Sequence, residues 1–490
     1  MTTDPEANRR RTLSRREMLK VASLGTTALV LAACGAQAPA TSDPATEVTA
    51  NAGASEAPPV AEEEPAVAEG EPEPEPTVGI NEMGQGSQRL TFWHGLGGAD
   101  GATMVQMLQQ YASDNPEIAL RSETYDWTVF YQKLPTATAA GTPPDMAVQH
   151  EFSILQFADQ GILQDADAIF YQPGLIPKED FNPNIIETVT YEGKTMGVPF
   201  DNHGWGLFVN KQVIEEAGLD PANLPKNGIE FLEWAQKVTV DEAGKHPNET
   251  GFDPDRIKVF AIHPSWVRFT MPSTLWQFGG GVLTDDGTTS ILASEQSIAA
   301  AQYWHDLMYT YHVAPPAIPG QQGAYDYFKG NGLALMWDGS WSLNFFRDNP
   351  DVEKVTRNDL LNSLAPDGKQ AAKVGSHMLV VPVGVEDPGL AAAKDLITWL
   401  SDNGETWAQS GQLPARLSVQ NSPAVQEIWT APAFVKEFTE IGKTEVPHKS
   451  INEIVTIYEA AWGAAMANTT PVEQSLQEAS AAIQAVIDRG

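Results

Sequence analysis

The sequence predicts an α/β protein of two lobes. Residues 89–93 (RLTFW) have the composition of a strand, a glycine-rich turn follows, and apolar residues at helical spacing begin near Met104. A strand, a turn and an amphipathic helix in this order open an α/β lobe. The chain from residue 88 to its C-terminus has about 400 residues, which is more than one hydrophobic core usually supports. We therefore expect two lobes joined by crossings of the chain.

Residues 1–33 have the features of an export signal. Arg15 and Arg16 lie in a twin-arginine pattern, SRREMLK, and a short apolar run after it ends in LAAC at Cys34. This run is shorter than the roughly 20 residues that span a bilayer. Cys34 is the only cysteine in the sequence, so it has no disulfide partner, and its position predicts lipidation. The alternative is that Cys34 is an incidental small residue of the signal.

Residues 34–87 are predicted to be a disordered acidic tether. Residues 35–77 are rich in Ala, Pro, Glu and Thr and contain no Lys or Arg. Such a composition cannot bury enough apolar surface to offset the entropy lost on ordering. Proline and charge repulsion favour extended conformers, so the tether would hold the folded body about 40 Å from the membrane.

The sequence is strongly acidic, with 64 Asp and Glu against 30 Lys and Arg and a net charge of −34. This charge argues against nucleic-acid binding and against electrostatic adhesion to anionic lipid. We expect an extracytoplasmic monomer, held at the outer face of the cell membrane (at the cell surface or in the periplasm) by a lipid anchor on Cys34.

Polar side chains follow the strands of the first lobe. Trp93 and His94 end the first predicted strand, at the edge where open α/β sheets bind ligands, although core packing is an alternative for Trp93. The turn after them matches neither GxGxxG nor GxxxxGK[ST], which argues against a nucleotide site. A helix within residues 125–145 is followed by a strand, residues 145–148, that ends near Glu151.

Residues 196–211 (MGVPFDNHGWGLFVNK) are predicted to carry the chain from the first lobe into the second. Pro199 cannot donate to a sheet, two glycines relax the backbone, and Asp201 and Asn202 lie inside the break. An ordinary surface loop is the alternative, because turns favour the same residue types. Trp205 is ambiguous, since a shift of one residue in register would turn it from the cleft to the core.

The second lobe has clear helical patterns. Trp234 lies on the apolar stripe of one predicted helix, and Ser294 precedes another as a predicted cap. His305 and His312 are one heptad apart, but no HExxH or similar ligand set surrounds them. We therefore predict no metal site and no cofactor.

Several motifs resemble those of one family. They are YQKLPTATAAGTPPDM (residues 131–146), FADQGILQDAD (157–167), the segment 325–347 and LPARLSV (413–419). From residue 88 onward the chain resembles the extracellular solute-binding proteins of ABC importers, in family 1, the branch of maltose-binding and related sugar-binding proteins.

The resemblance implies a type II periplasmic-binding-protein-like fold, in which hinge crossings join two α/β lobes. Its lobe 1 would hold residues 88–201 and 376–425, and its lobe 2 residues 202–375 and 426–490. It implies a protein without enzymatic activity that captures a mono- or oligosaccharide between the lobes. Closure of the lobes would then deliver this ligand to the importer's permease.

A sugar ring needs aromatic faces for its C–H surface and hydrogen-bonding groups for its hydroxyls. The family motif places Trp341 as a stacking aromatic with Asp338 beside it. Arg416 is either a ligand contact or a structural clamp on the crossing loop, and His377 is a weaker candidate. The predicted ligand-binding set is Trp93, His94, Glu151, Asp201, Asn202, Trp205, Trp266, Asp338, Trp341 and Arg416.

Two alternatives stay open. The first is a surface-tethered polysaccharide-degrading enzyme that uses Glu151 and Asp201 as acid and base. The second keeps the binding fold but changes the ligand to a polyamine, glycerol phosphate or a peptide. The preferred hypothesis assigns no catalytic residue.

Overall fold

In the computed structural model, the export signal, Cys34 and most of the predicted tether lie outside the described residues. Residues 79–83 are described and form a strand, so the predicted tether ends before residue 87. No helix within the described part of the chain has both the length and the apolar character needed to cross a bilayer. The described residues are 79–98, 100–264, 266–316, 320–349, 354–356 and 362–489.

The secondary structure alternates between strands and helices. In chain order the strands are β1 (Gly79–Met83), β2 (Gln88–His94), β3 (Ile118–Thr124), β4 (Met146–His150), β5 (Thr190–Tyr191), β6 (Lys194–Thr195), β7 (Val198–Pro199), β8 (Asp201–Asn210), β9 (Val240–Asp241), β10 (Ile257–Pro264), β11 (Leu333–Gly339), β12 (Lys354–Thr356), β13 (Ala372–Gly375), β14 (His377–Val380), β15 (Leu413–Pro414) and β16 (Gly442–Lys443). The helices are α1 (Gly101–Asp114), α2 (Trp127–Ala139), α3 (Glu151–Asp159), α4 (Ala166–Ile169), α5 (Pro183–Thr188), α6 (Lys211–Glu216), α7 (Gly228–Val238), α8 (Val267–Gln277), α9 (Glu295–Tyr309), α10 (Gly320–Lys329), α11 (Leu343–Asp348), α12 (Gly389–Asp402), α13 (Gly404–Ala408), α14 (Leu417–Gln420), α15 (Pro423–Gln426), α16 (Ala431–Glu440), α17 (Ile451–Met466) and α18 (Val472–Asp488).

The first sheet has the strand order β1, β3, β2, β4, β14, β7. Strand β2 is parallel to β3 and β4, whereas β1 and β14 are antiparallel to their neighbours. Leu90 and Phe92 on β2 are buried in one core with Met104 of α1 and Leu396 of α12. The carboxyl ends of β2, β3 and β4 therefore meet at one edge, where open α/β sheets place ligands.

The second sheet has the order β16, β13, β8, β11, β10, β9, and both β12 and β15 also pair with β8. Its main core joins the sheet to α7, α9, α17 and α18 through Trp205, Trp234, Trp304, Tyr458 and Ile483. The helices near the C-terminus thus complete the lobe that begins with β8, although they are distant from it in sequence.

The chain passes between the two sheets at Phe200, which separates β7 from β8, and at Ser376, which separates β13 from β14. Near β15 it returns a third time: Leu413 pairs with Asn202, and the backbone N–H of Ala415 donates to the carbonyl of Phe200 at 3.1 Å. The two sheets with their helices form the two predicted α/β lobes.

The segment predicted as a turn-rich break is a regular strand, so that prediction was wrong in detail. Residues 201–210 are all in β8, and the two glycines serve packing and not backbone flexibility. A Cβ atom on Gly206 would lie 2.4 Å from the ring of Phe434, and one on Gly204 would lie 2.7 Å from that of Phe438. Glycine therefore lets α16 approach the strand closely.

Local predictions for the helices are confirmed. The side chain of Ser294 caps α9 by accepting from the backbone N–H of Ser297 at 3.2 Å. Trp234 is buried on α7, and Gly141, just beyond α2, has the left-handed φ of 72°. These features depend on neighbours within a few residues, which is why the sequence predicts them.

Candidate functional site

A cavity of about 980 Å³ lies where the two lobes meet. One wall comes from the turns after β2 and β3, the first turns of α2, and the ends of β4 and β14. The other comes from β8, the start of α8, the turn after β11, and the first turns of α17. The cavity therefore draws side chains from both lobes.

On the second-lobe wall, Trp266 has an unusual backbone. It precedes α8 with φ 48° in the left-handed region, and its side chain is 43% exposed. Its indole lies 6.1 Å from that of Trp341, with an angle of 83° between the rings, and Phe269 packs 5.0 Å from Trp341. A bulky residue in this conformation is strained, and such strain is concentrated at functional sites.

The first-lobe wall has a tryptophan of its own. Trp127 begins α2 and stacks on His377, with 5.7 Å between ring centroids and an angle of 15°. A Cβ atom on Gly95 would lie 2.2 Å from the indole of Trp127. The glycine-rich turn after β2 therefore makes room for this ring. Asp126 caps the helix by accepting from the backbone N–H of Thr128 at 2.8 Å.

Three histidines form the floor of the cavity around a buried carboxylate. Asp201 accepts from Nδ1 of His203 at 3.0 Å and from Nδ1 of His377 at 2.8 Å. It also accepts from Nε1 of Trp407 at 2.8 Å. The third imidazole, of His150, lies 4.7 Å from that of His377 between ring centroids.

These groups differ in charge. Burial, aided by neighbouring His377, lowers the pKa of His203 to about 4, and burial holds the pKa of His150 well below its usual range. Burial alone would lower the pKa of His377, but the charge and hydrogen bond of Asp201 together with the charges of Asp100 and Glu151 raise that pKa. Burial would raise the pKa of Asp201, yet His377 and His203 lower it strongly, so the carboxylate stays ionised.

A second buried carboxylate lies behind the second-lobe wall. Glu445 accepts from Arg268 at 2.8 Å and from Lys373 at 2.6 Å, and the hydroxyl of Tyr458 also donates to it. Burial would raise the pKa of Glu445, but the two cations lower it to about 2. The guanidinium of Arg268, which lines the cavity, lies 3.7 Å from the ring centre of Phe152.

Further hydrogen-bonding groups complete the cavity wall. Gln412 donates to Asp100 at 3.0 Å and accepts from the hydroxyl of Ser340 at 2.6 Å. Both side-chain amide atoms of Asn452 are buried and have no partner within the described residues. Such an amide can donate to and accept from the hydroxyls of a ligand. Burial raises the pKa of Glu459, a further wall residue.

Three of the residues singled out from the sequence line this cavity: Trp266, Trp341 and the weaker candidate His377. They come from separate elements, namely the residue before α8, the turn after β11 and the first residue of β14.

The remaining candidates in the first lobe and the crossing strand are not among the residues that line this cavity. Trp93 packs edge-on against Tyr125 at 5.3 Å. His94 is fully buried and bonds the hydroxyl of Ser122 at 2.9 Å. Glu151 accepts from the backbone N–H of Ser376 at 2.7 Å. The acid and base of the enzyme alternative, Glu151 and Asp201, are thus both engaged in buried hydrogen bonds within the protein.

Four further candidates do not line the cavity either. Asn202 is half-buried on the opposite face of β8 from its neighbours, and Trp205 is fully buried in the core. Asp338 is buried and accepts from the backbone N–H of Gly339 at 2.7 Å. Arg416 bonds Asp180 at 3.0 Å and also Asp402, contacts that fit the alternative of a structural clamp.

The predicted ligand-binding set did not include several residues of the wall: Trp127, Tyr131, His150, His203, Arg268 and Asn452. One signal was available, because side chains two apart on a strand share a face, which groups His203 with Asp201. The others are brought to the cavity by contacts between distant elements.

Two α/β lobes with a cavity of mixed aromatic and polar character between them define a two-lobe solute-binding protein. The chain belongs to the bacterial extracellular solute-binding protein family, whose model matches residues 106–433. This match confirms the resemblance found in the sequence and implies that the chain works outside the cytoplasm.

The chain has low sequence identity to its relatives. It is 25% identical over 366 residues to the arabinooligosaccharide-binding protein of Halalkalibacterium halodurans, covering 70% of this chain and 75% of that protein. It is 23% identical over 355 residues to the maltotriose-binding protein of Pyrococcus abyssi, covering 70% and 69%. Relatives from Brucella abortus are 25% identical over 212 residues, and this match spans 42% of the chain and 47%, about half, of their length.

Solved structures confirm the predicted type II fold. An ABC transporter solute-binding protein of Thermotoga lettingae, bound to α-D-tagatose, superposes with a TM-score of 0.69 at 23% identity and covers 82% of this chain and 100% of that one. Maltose-bound MalE3 of T. maritima has the same TM-score of 0.69 at 22% identity, with the same coverage of 82% and 100%.

Proposed function

We propose that this chain binds a carbohydrate between its two lobes and acts as the solute-binding component of an ABC importer. The observation that carries the proposal is the set of aromatic rings in one cavity: Trp266 and Trp341 from the second lobe and Trp127 from the first. Aromatic faces suit the apolar C–H surface of a sugar, and Asn452 and Gln412 offer groups for its hydroxyls.

The size of the cavity favours an oligosaccharide. About 980 Å³ is at the upper end of the range for ligand pockets, which is more than a single sugar ring needs. The names of two relatives, for arabinooligosaccharide and maltotriose, support the same class of ligand.

A ligand that contacts both walls of the cavity favours closure of the lobes. Such a ligand stabilises the closed state by the contacts that it makes only there. We place the hinges at the crossings near Phe200 and Ser376, and the closed form would dock on the permease. Small-angle scattering should therefore report a smaller radius of gyration with the ligand than without it.

Calorimetry of the purified chain against a sugar panel tests the proposal. The panel holds arabino- and maltooligosaccharides and tagatose, with a polyamine and sn-glycerol 3-phosphate as competing ligand classes. Trp266→Ala should weaken sugar binding by about two- to tenfold, since loss of one aromatic contact costs roughly 0.5–1.5 kcal/mol. Trp429→Ala is the matched control, because Trp429 is 44% exposed, against 43% for Trp266, and does not line the cavity.

Two results would contradict the proposal. One is the absence of heat and of a thermal shift with every sugar of the panel while a polyamine or phosphate ester binds. The other is an equal loss of sugar affinity in the variants of Trp266 and Trp429. Turnover of an oligosaccharide by the purified chain would instead support the enzyme alternative.

We also propose export through the twin-arginine pattern and lipidation at Cys34, which would hold the monomer at the outer face of the membrane. The support is the sequence of residues 1–34. Cys34→Ala should release the protein from washed membranes, and lysines in place of Arg15 and Arg16 should block export. Retention of Cys34→Ala in the membrane fraction would contradict the anchor.

A further inference from the structure

Three imidazoles converge on the cavity floor from both lobes. His150 ends β4 and pairs with His377, the first residue of β14, whereas His203 lies in β8. One ring nitrogen of each lies within 4.8 Å of those of the other two. The ring centroids are 4.2 Å apart for His203 and His377 and 5.2 Å apart for His150 and His203.

Each of these rings is held by its Nδ1 atom. The carboxylate of Asp201 accepts hydrogen bonds from Nδ1 of both His203 and His377. The hydroxyl of Tyr131 lies 2.5 Å from Nδ1 of His150. This arrangement leaves the Nε2 atoms without a protein partner among the described residues. Histidines that bind metals usually hold their second nitrogen against a carboxylate or another polar group in this way.

One of these Nε2 atoms is in an unusual environment. The side chain of His203 is 1% exposed, and its Nε2 has no hydrogen-bond partner in the described part of the chain. A buried polar atom without a partner is costly and rare. Glycine at position 375 makes room for this ring, because a Cβ atom there would lie 2.9 Å from its Nε2 and 3.2 Å from Oε2 of Glu151.

We propose that His150, His203 and His377 together bind one divalent first-row transition metal ion, with a further coordination position that faces the cavity. Zinc is the reference ion, because neutral imidazole is among its preferred ligands. Tetrahedral Zn–N bonds of 2.0–2.1 Å place ligand nitrogens about 3.4 Å apart, so the rings must approach one another by up to about 1.4 Å. The open position would accept water or an oxygen atom of a bound ligand.

Binding of the metal ion does not require the proposed carbohydrate. The test therefore uses metal ions alone. The complete chain without a histidine tag is stripped with a chelator and titrated with Zn²⁺ by calorimetry. Cobalt(II) is titrated in parallel, because its visible absorption reports the coordination geometry. We expect one ion per chain, visible Co²⁺ bands of a low-coordinate site, and a raised unfolding midpoint.

Single substitutions test which residues bind the metal ion. His150→Ala and His203→Ala should each weaken Zn²⁺ binding by more than about 100-fold, because losing a ligand exceeds the 10–100-fold effect of losing a supporting group. Asp201→Asn should weaken it by about 10–100-fold, since Asp201 orients two of the ligands. His305→Ala is the control, because His305 bonds Asn468 on the second lobe and does not line the cavity.

Circular dichroism in metal-free buffer establishes that each variant is folded. Should a histidine variant not fold, imidazole NMR signals of the parent chain still decide the matter, since only those of the three histidines should shift with one equivalent of Zn²⁺. The proposal is overturned if the parent chain binds no Zn²⁺, if the folded variants bind it as tightly as the parent does, or if other imidazoles shift instead.

Discussion

Two buried carboxylates, Asp201 and Glu445, lie close to the same cavity and have different roles. Each accepts hydrogen bonds from several side chains, and each has a pKa below its usual range. The charged donors to Glu445 are Arg268 and Lys373, whereas the donors to Asp201 are His203, His377 and Trp407.

The partners of the two carboxylates explain the difference. Glu445 joins α8, β13 and α17 within the second lobe, and its ion pairs neutralise buried charge there. Asp201 instead connects β8 of the second sheet with β14 of the first and with α13. An imidazole has a second nitrogen, so the partners of Asp201 can still bind something in the cavity. A buried carboxylate can thus serve either packing or a binding site, and its partners decide which.

The largest effect that would test this comparison is expected for Glu445→Ala. It leaves Arg268 and Lys373 buried without a counter-charge, which should lower the free energy of unfolding by about 3–5 kcal/mol. Urea unfolding measures the loss. The control is Glu242→Ala, because Glu242 pairs with Arg256 at an exposed position and should change stability little. A loss below about 1 kcal/mol for Glu445→Ala would mean that this cluster does not stabilise the lobe.

The next largest effect is the expected loss of stability of the Glu445 cluster at acid pH. The pKa of Glu445 is about 2 in the folded chain and 4.5 in the reference state. Its stabilisation is therefore complete above pH 4.5 and is lost as the pH falls from 4.5 towards 2, by roughly 3 kcal/mol.

The measurement is the difference in unfolding free energy between the parent and Glu445→Gln across this pH range. That difference should shrink below pH 4.5, whereas the difference for Asp201→Asn should begin to shrink only below pH 3.8, the reference pKa of Asp201. Two curves that fall together would remove the distinction between the carboxylates.

Asp201→Ala should cost less stability than Glu445→Ala, by our expectation about 2–3 kcal/mol. It leaves the indole N–H of Trp407 and the backbone N–H of His377 unpaired. The imidazoles, however, can release a proton, which Arg268 cannot do. Chemical unfolding of the two alanine variants side by side measures the order, and the reverse order would contradict this account.

The smallest predicted effect is that of Tyr458→Phe. It removes one hydroxyl that donates to Glu445 while both cations remain, so the loss should be about 1 kcal/mol. Tyr191→Phe is the control, because its hydroxyl donates to Asp159 at the surface. If the two substitutions had equal effects in thermal unfolding, burial of the Tyr458 hydroxyl would have no energetic consequence.

The sequence predicted much of the fold from local signals. The strand near Trp93, the helix after Asp126 and the cap at Ser294 depend on periodicity and on turn chemistry within a few residues. The length of the chain predicted two lobes, and family motifs added the type of fold and the place of Trp341 at the cavity. The crossing segment was located correctly, but its glycines were explained by flexibility, because the rings of α16 that pack on them lie more than 200 positions away.

What the sequence determined by itself is thus the order of the elements, the class of the protein and the aromatic character of its cavity. The tertiary structure alone decided which polar residues reach that cavity. Asp201 and Glu151 are polar residues at strand ends, yet partners from distant elements bury both. His150 and His203 lack a sequence motif and line the cavity floor. Pairing within the first sheet sets His150 opposite His377, and pairing within the second sets His203 opposite Gly375, two residues before His377. Side-chain direction and distant contacts are set by packing, and local sequence does not encode them.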